Sequence, residues 1–283
     1  MLVGTVTGLH RVDGGSDLAG HHITALAGEH ALVDGRAVWR GDWLGADLPG
    51  AAATTLLPGD GHVLVGTNDG RLLRVTADGA APVASFDGAP GRERWYTPWG
   101  GPAAVRSLAA APDGTVYVNV HVGGILRSAD GGEGWEPTLD IDVDVHQVVV
   151  APDGTVVAAT AYGLATGTGG GRTWTVDDDG LHATYARAVA VAGDMVLLTV
   201  STGPDGRRAG LYRRPLHGGE RFERCFVGLP GSFPGNVDTG SLAADADVAV
   251  LGTTTGRVYA STDAGATWRT VAAGPPVTCV SLA

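Results

Sequence analysis

The strongest constraint on this chain is an internal repeat. "LAAAPDGTVYVNV" at 108–120 and "VVVAPDGTVVAAT" at 148–160 are one unit displaced by 40 residues: an apolar run, an Ala-Pro-Asp-Gly-Thr turn and a second apolar run. Proline presets the first central φ of a type I turn and glycine suits its fourth position, so each unit reads as a β-hairpin. Looser copies occur at 54–75, 187–203 and 240–261.

Each unit continues into a second hairpin with its own turn. Ser261, Asp263, Gly265, Thr267 and Trp268 spell S-x-D-x-G-x-T-W, and Ser128, Asp130, Gly132 and Trp135 lack only the threonine. The copy at Gly167 to Trp174 keeps its glycines, Thr173 and Trp174, and a fourth at Pro215 to Phe222 has drifted further.

Four short strands about every 40 residues predict an all-β propeller, each blade being a sheet that cannot bury both faces alone. The expectation is a single domain over 1–283 with seven blades. Six run over 21–50, 51–102, 103–143, 144–183, 184–235 and 236–276. The seventh is closed by pairing of the C-terminal strand "VTCVSLA" with the N-terminal strands in "MLVGTVTGLHRV". Because the 21–50 unit is short, six blades is the alternative.

The S-x-D-x-G-x-T-W turns are the Asp-box signature, and the whole repeat resembles the BNR or Asp-box propellers. That superfamily includes sialidases, sortilin-type receptors and the photosystem II assembly factor. The resemblance implies that Asp130 and Asp263 bind backbone in turns while the tryptophans wedge into the core. Sialidases also carry an early F/Y-R-I-P motif and an arginine triad. This sequence has no R-I-P, and its N-terminal blade offers only Arg11, Arg36 and Arg40.

Composition narrows the partners. All 19 basic residues are arginine and the formal charge is −11, which argues against nucleic acid or an anionic membrane as a partner. No apolar run reaches the length of a membrane helix, about 18 residues. The N-terminus lacks a basic segment followed by a cleavage site. Cys225 and Cys279, without a CxxC, read as free thiols in a reducing compartment, so the expected location is cytoplasmic.

The loops of a blade divide between two faces. The A-P-D-G and S-x-D-x-G-x-T-W turns share one. The other receives the b–c loops and the crossovers between blades, and the chemically capable residues gather there: Arg94, Trp95, Tyr96 and Trp99; Arg106; Asn119 and His121; Asp144 and His146; Tyr162; His182, Tyr185 and Arg187; Phe233, Asn236 and Asp238. In "LDIDVDVHQVVV" the inner strand is expected to begin at about Val145, leaving Asp140 and Asp142 in a solvated crossover. Alignment of inner strands puts Arg106, His146 and Arg187 in one column at the channel mouth.

An inner strand should be apolar, so charged residues there must reach water, a partner or a ligand. Pairing with Asp144 and Asp238 is the structural reading. The functional reading is a polar ligand pocket, with a small anionic or carbohydrate-like ligand or a protein partner. Three uses follow. A binding or assembly module would use Arg106, Arg94, Trp95, Tyr96, Asn119, Asp144, Tyr162, His182 and Asp238, with Trp95, Tyr96 and Trp99 as anchors. An enzyme acting on an acidic sugar or other carboxylate would use Arg106 and Arg187 to bind, His146 or His121 as base and Tyr185 or Tyr162 as proton donor. A divalent transition metal would take His121, His146 and His182, with Asp142 or Asp144.

Overall fold

The computed structural model describes residues 1–45, 47–98 and 100–282. The chain forms seven four-stranded antiparallel sheets. We number the blades from residue 21. Blade one, despite its shortness, is complete: Ile23–Ala27, His30–Val33, Ala37–Trp39 and Trp43–Gly45. Seven blades therefore replace the six-blade alternative.

The remaining inner strands are Ala53–Pro58, Val105–Ala110, Val145–Val150, Tyr185–Ala192, Leu242–Asp245 and Val277–Ser281. Consecutive inner strands pack on one another around the whole ring. Closure is as expected: Val277–Ser281 is the inner strand of blade seven and pairs antiparallel with Leu2–Thr5. Leu2–Thr5 pairs in turn with Gly8–Arg11.

The core lies between blades, where sheet packs on sheet. Second strands are covered on both faces and are mostly apolar, Val156–Thr160 being buried throughout. Between blades four and five, Val157, Ala159 and Leu164 pack with Val189, Leu198 and Phe222.

The turns between third and fourth strands are held by their own side chains. Ser128 donates to Asp130 at 2.7 Å and accepts from the Gly132 amide at 2.9 Å. Ser261 repeats both bonds with Asp263 and Gly265. Asp263 also accepts from the Thr267 amide and hydroxyl at 2.9 and 2.6 Å, and these bonds hold its pKa down at about 2. Trp135 and Trp268 are buried.

The inner strands carry an irregularity at one station. In six of the seven described sheets the inner strand has a one-residue bulge, at Thr24, Thr54, Arg106, His146, Arg187 and Thr278. A bulge removes one residue from the ladder and re-aims its side chain. Three bulged residues use that freedom to stitch blades together. Thr278 donates to the carbonyl of Ile23, Thr54 to that of Val105, and His146 Nδ1 to that of Ala186, at 2.5, 2.5 and 2.6 Å. In each case the acceptor immediately precedes the bulge of the next blade.

Candidate functional site at the channel mouth

The crossover into blade four makes a short 3-10 turn, Ile141–Val143, capped by Asp140, whose carboxylate accepts from the Asp142 amide. Asp140 and Asp142 are exposed, as expected. Asp144 ends the turn in the left-handed region, φ 47°, a conformation that Asp tolerates better than most residues. The chain then enters the inner strand at Val145, so Asp144 and His146 are delivered together beside the b–c loop that carries His121.

Asp144 stands between two imidazoles. Its Oδ1 lies 3.6 Å from Nε2 of His121, and its Oδ2 lies 3.6 Å from Nε2 of His146. Both histidines are buried, His146 completely. His146 donates through Nδ1 to the Ala186 carbonyl, so its Nε2 is the lone-pair nitrogen. That nitrogen is buried with no hydrogen-bond partner among the described residues. Burial, reinforced by the charge of Arg187, drops the His146 pKa to about 3. Burial and then Arg106 drop that of His121 to about 4. Burial raises the Asp144 carboxyl, against the pull of Arg106 and Arg187.

The two arginines differ in their surroundings. Arg187 donates through Nε to Asp238 at 2.8 Å, its Nη2 lies 2.6 Å from the same oxygen, and Nη1 donates to the Tyr185 hydroxyl at 3.3 Å. Burial works against its charge, but Asp238 and Tyr185 more than offset it and leave the pKa raised. The Tyr185 ring meets His146 edge-on at 4.7 Å. Arg106 has a buried Nη1 with no hydrogen-bond partner among the described residues. Burial and the like charge of Arg187 lower its pKa.

Thus the structure brings together Arg106, His121, Asp144, His146, Tyr185, Arg187 and Asp238, from blades three to six. Sequence reasoning missed Thr239, whose hydroxyl lies 2.9 and 3.2 Å from the carbonyls of His146 and Arg187. No residue type or spacing marked it.

Other candidates serve elsewhere. Asn119 is fully buried within blade three, where it donates to Ser107. Trp95 packs on Phe86 and beneath the Arg92 guanidinium, stacking that also holds the 83–98 crossover. Arg94 and Tyr96 are exposed on that crossover, and Tyr162 on the b–c loop of blade four. Trp99 lies outside the described residues. His182 bonds the Tyr212 hydroxyl at 2.7 Å and stacks on its ring. It does not converge with His121 and His146, and among the described residues no three His, Cys, Asp or Glu side chains are grouped to hold a metal. This corrects the three-histidine metal expectation.

No family model and no curated protein matches the sequence. Solved structures do. Virginiamycin B lyase from Staphylococcus aureus superposes with a TM-score of 0.61 at 13% identity, over 97% of this chain and 87% of that one. An ancestral GH74 enzyme gives 0.60 at 16% identity over 82% of this chain. The GH74 enzyme of Niastella koreensis gives 0.63 at 12% over 95%. The likeness is one of fold. The chain spans 34% and 46% of the two GH74 chains.

Proposed function

We propose that the protein is a cytoplasmic binding or assembly module that holds a small anionic ligand at its channel mouth. The observation that carries this is the buried Nη1 of Arg106, which has no hydrogen-bond partner among the described residues and lies near Arg187. A buried guanidinium N–H without an acceptor is unfavourable, and a carboxylate is the acceptor that arginine matches best. The Ser128–Trp135 and Ser261–Trp268 turns, read as Asp boxes, are in this view the scaffold. The buried free thiols of Cys225 and Cys279 support a reducing location. Calorimetric titration with acetate and glucuronate should give one site, weakened at least tenfold in Arg106→Gln. A parent protein that binds no carboxylate refutes the reading.

His146 favours a second reading, catalysis on an acidic sugar or other carboxylate. Its Nδ1–H is fixed on Ala186 and its Nε2 carries the lone pair, the tautomer a general base needs, although burial holds its pKa at about 3 and makes it a weak one. Arg106 and Arg187 would hold the carboxylate, and Tyr185 would return a proton. Solvent-deuterium exchange next to the carboxylate of a bound uronate, abolished in His146→Gln, checks it by NMR.

A further inference from the structure

Below Arg106 the channel changes character. A cavity of about 370 Å³ runs along the inner strands of blades one to four, with Thr54, Arg106 and Gln147 at its upper end and Ala27, Ala110 and Val150 at its lower. From Arg106 to Ala110 the strand rises roughly 13 Å, at about 3.3 Å per residue. The volume lies inside the ordinary range for small-ligand sites, about 300–1,000 Å³.

Its middle is aliphatic. Leu26, Leu57, Leu108 and Val149, one from each of four consecutive blades, line this cavity and are only half-buried. Enclosed by a ring of sheets, that residual exposure is to the channel. Apolar surface facing water in a confined space favours any apolar group that displaces the water. Among the described lining residues there is no aromatic ring, the group that would offer a flat face to a sugar or an aromatic ligand. A guanidinium whose buried Nη1 has no acceptor among the described residues stands at one end, with a sleeve of branched aliphatic side chains below it, and the two fit one chemistry.

We infer that the channel binds a straight-chain aliphatic carboxylate, with its head group on Arg106 and its tail running down between Leu26, Leu57, Leu108 and Val149. This rests on the anion-binding reading of the mouth and adds to it the class of ligand. A hydrated channel whose aliphatic residues merely pack the ring would bind anions without regard to their tails.

The test is a chain-length series, acetate, butanoate, hexanoate and octanoate, titrated calorimetrically below micellar concentrations. Each added methylene should tighten binding about 3- to 4-fold at a stoichiometry of one. Leu57→Ala with Leu108→Ala should weaken octanoate about tenfold and flatten the dependence on chain length, whereas Arg106→Gln should weaken every length equally. The series on the parent protein decides the matter even if the leucine variants misfold. Length-independent binding overturns the aliphatic inference and leaves the anion site standing. Binding of octyltrimethylammonium as tight as octanoate overturns it as well, as non-specific adhesion. Failure of every carboxylate to bind overturns the inference and the anion site together.

Discussion

Nε2 of His146 faces Oδ2 of Asp144 across 3.6 Å, although the two residues are separated in the chain by a single valine. They would lie on one side of a regular strand. Here the left-handed turn at Asp144 and the bulge at His146 aim both inward instead, beside His121. The result is a buried, neutral imidazole pair around a carboxyl that is itself reluctant to ionise.

That arrangement makes stability depend on pH. Unfolded, both imidazoles titrate near 6.5; folded, they stay neutral down to about 4 in His121 and about 3 in His146. Between those values the unfolded chain binds more protons, so stability is full above pH 6.5 and falls as pH drops. The slope is about 1.4 kcal/mol per pH unit for each imidazole. Asp144, raised by burial, acts with the opposite sign and softens the lower end. Urea melts from pH 4.5 to 7.5 should show the fall, and the double variant His121→Gln, His146→Gln should flatten it.

Arg106→Gln should stabilise the ligand-free protein while destroying anion binding. Arg106 is half-buried near Arg187, and its buried Nη1 has no hydrogen-bond acceptor among the described residues, so its removal relieves about 1 kcal/mol. Calorimetric melting should rise by about 2 °C. A fall in melting temperature would mean that Arg106 is satisfied without a ligand.

Ser261→Ala breaks the turn from within. The hydroxyl is buried, donates to Asp263 and accepts from the Gly265 amide, so the buried amide is orphaned at a loss of about 1–2 kcal/mol. Acetate affinity should not change, because the turn lies on the opposite face from the arginines. Chemical denaturation and titration of the same variant measure both.

Cys225 and Cys279 should resist thiol reagents in the folded protein. Burial pushes both thiols up to about 12, leaving almost no thiolate at neutral pH. A chromogenic disulfide reagent should report no thiol in buffer and both in guanidinium.

The propeller was legible because its code is local: hairpin turns and serine–aspartate turns recur at a fixed period whatever they enclose. The column of Arg106, His146 and Arg187 was legible too, since two arginines and an imidazole interrupt largely apolar inner strands. What could not be read was why they leave the strand. The bulges arise from pairing with a neighbouring strand, and no residue type announces them, threonine at Thr54 and Thr278 least of all. Long-range contacts likewise hid the roles of Trp95 and His182. Each is an aromatic or imidazole in a crossover, and only the partners, Phe86 and Tyr212, show them to be packing groups.

The repeated bulge separates two demands that usually compete. A residue outside the ladder can be exchanged without shifting any strand pairing, so the ring holds positions at which chemistry varies while the fold stays fixed. Around the circle, threonines at Thr278, Thr24 and Thr54 give way to Arg106, His146 and Arg187. The backbone is nearly symmetric, yet its charge is lopsided, and a ligand reaching the channel meets one reactive arc and one inert one. Moving arginine or histidine to Thr24 or Thr54 would transplant that arc to another sector, a route to new specificities on an unchanged frame.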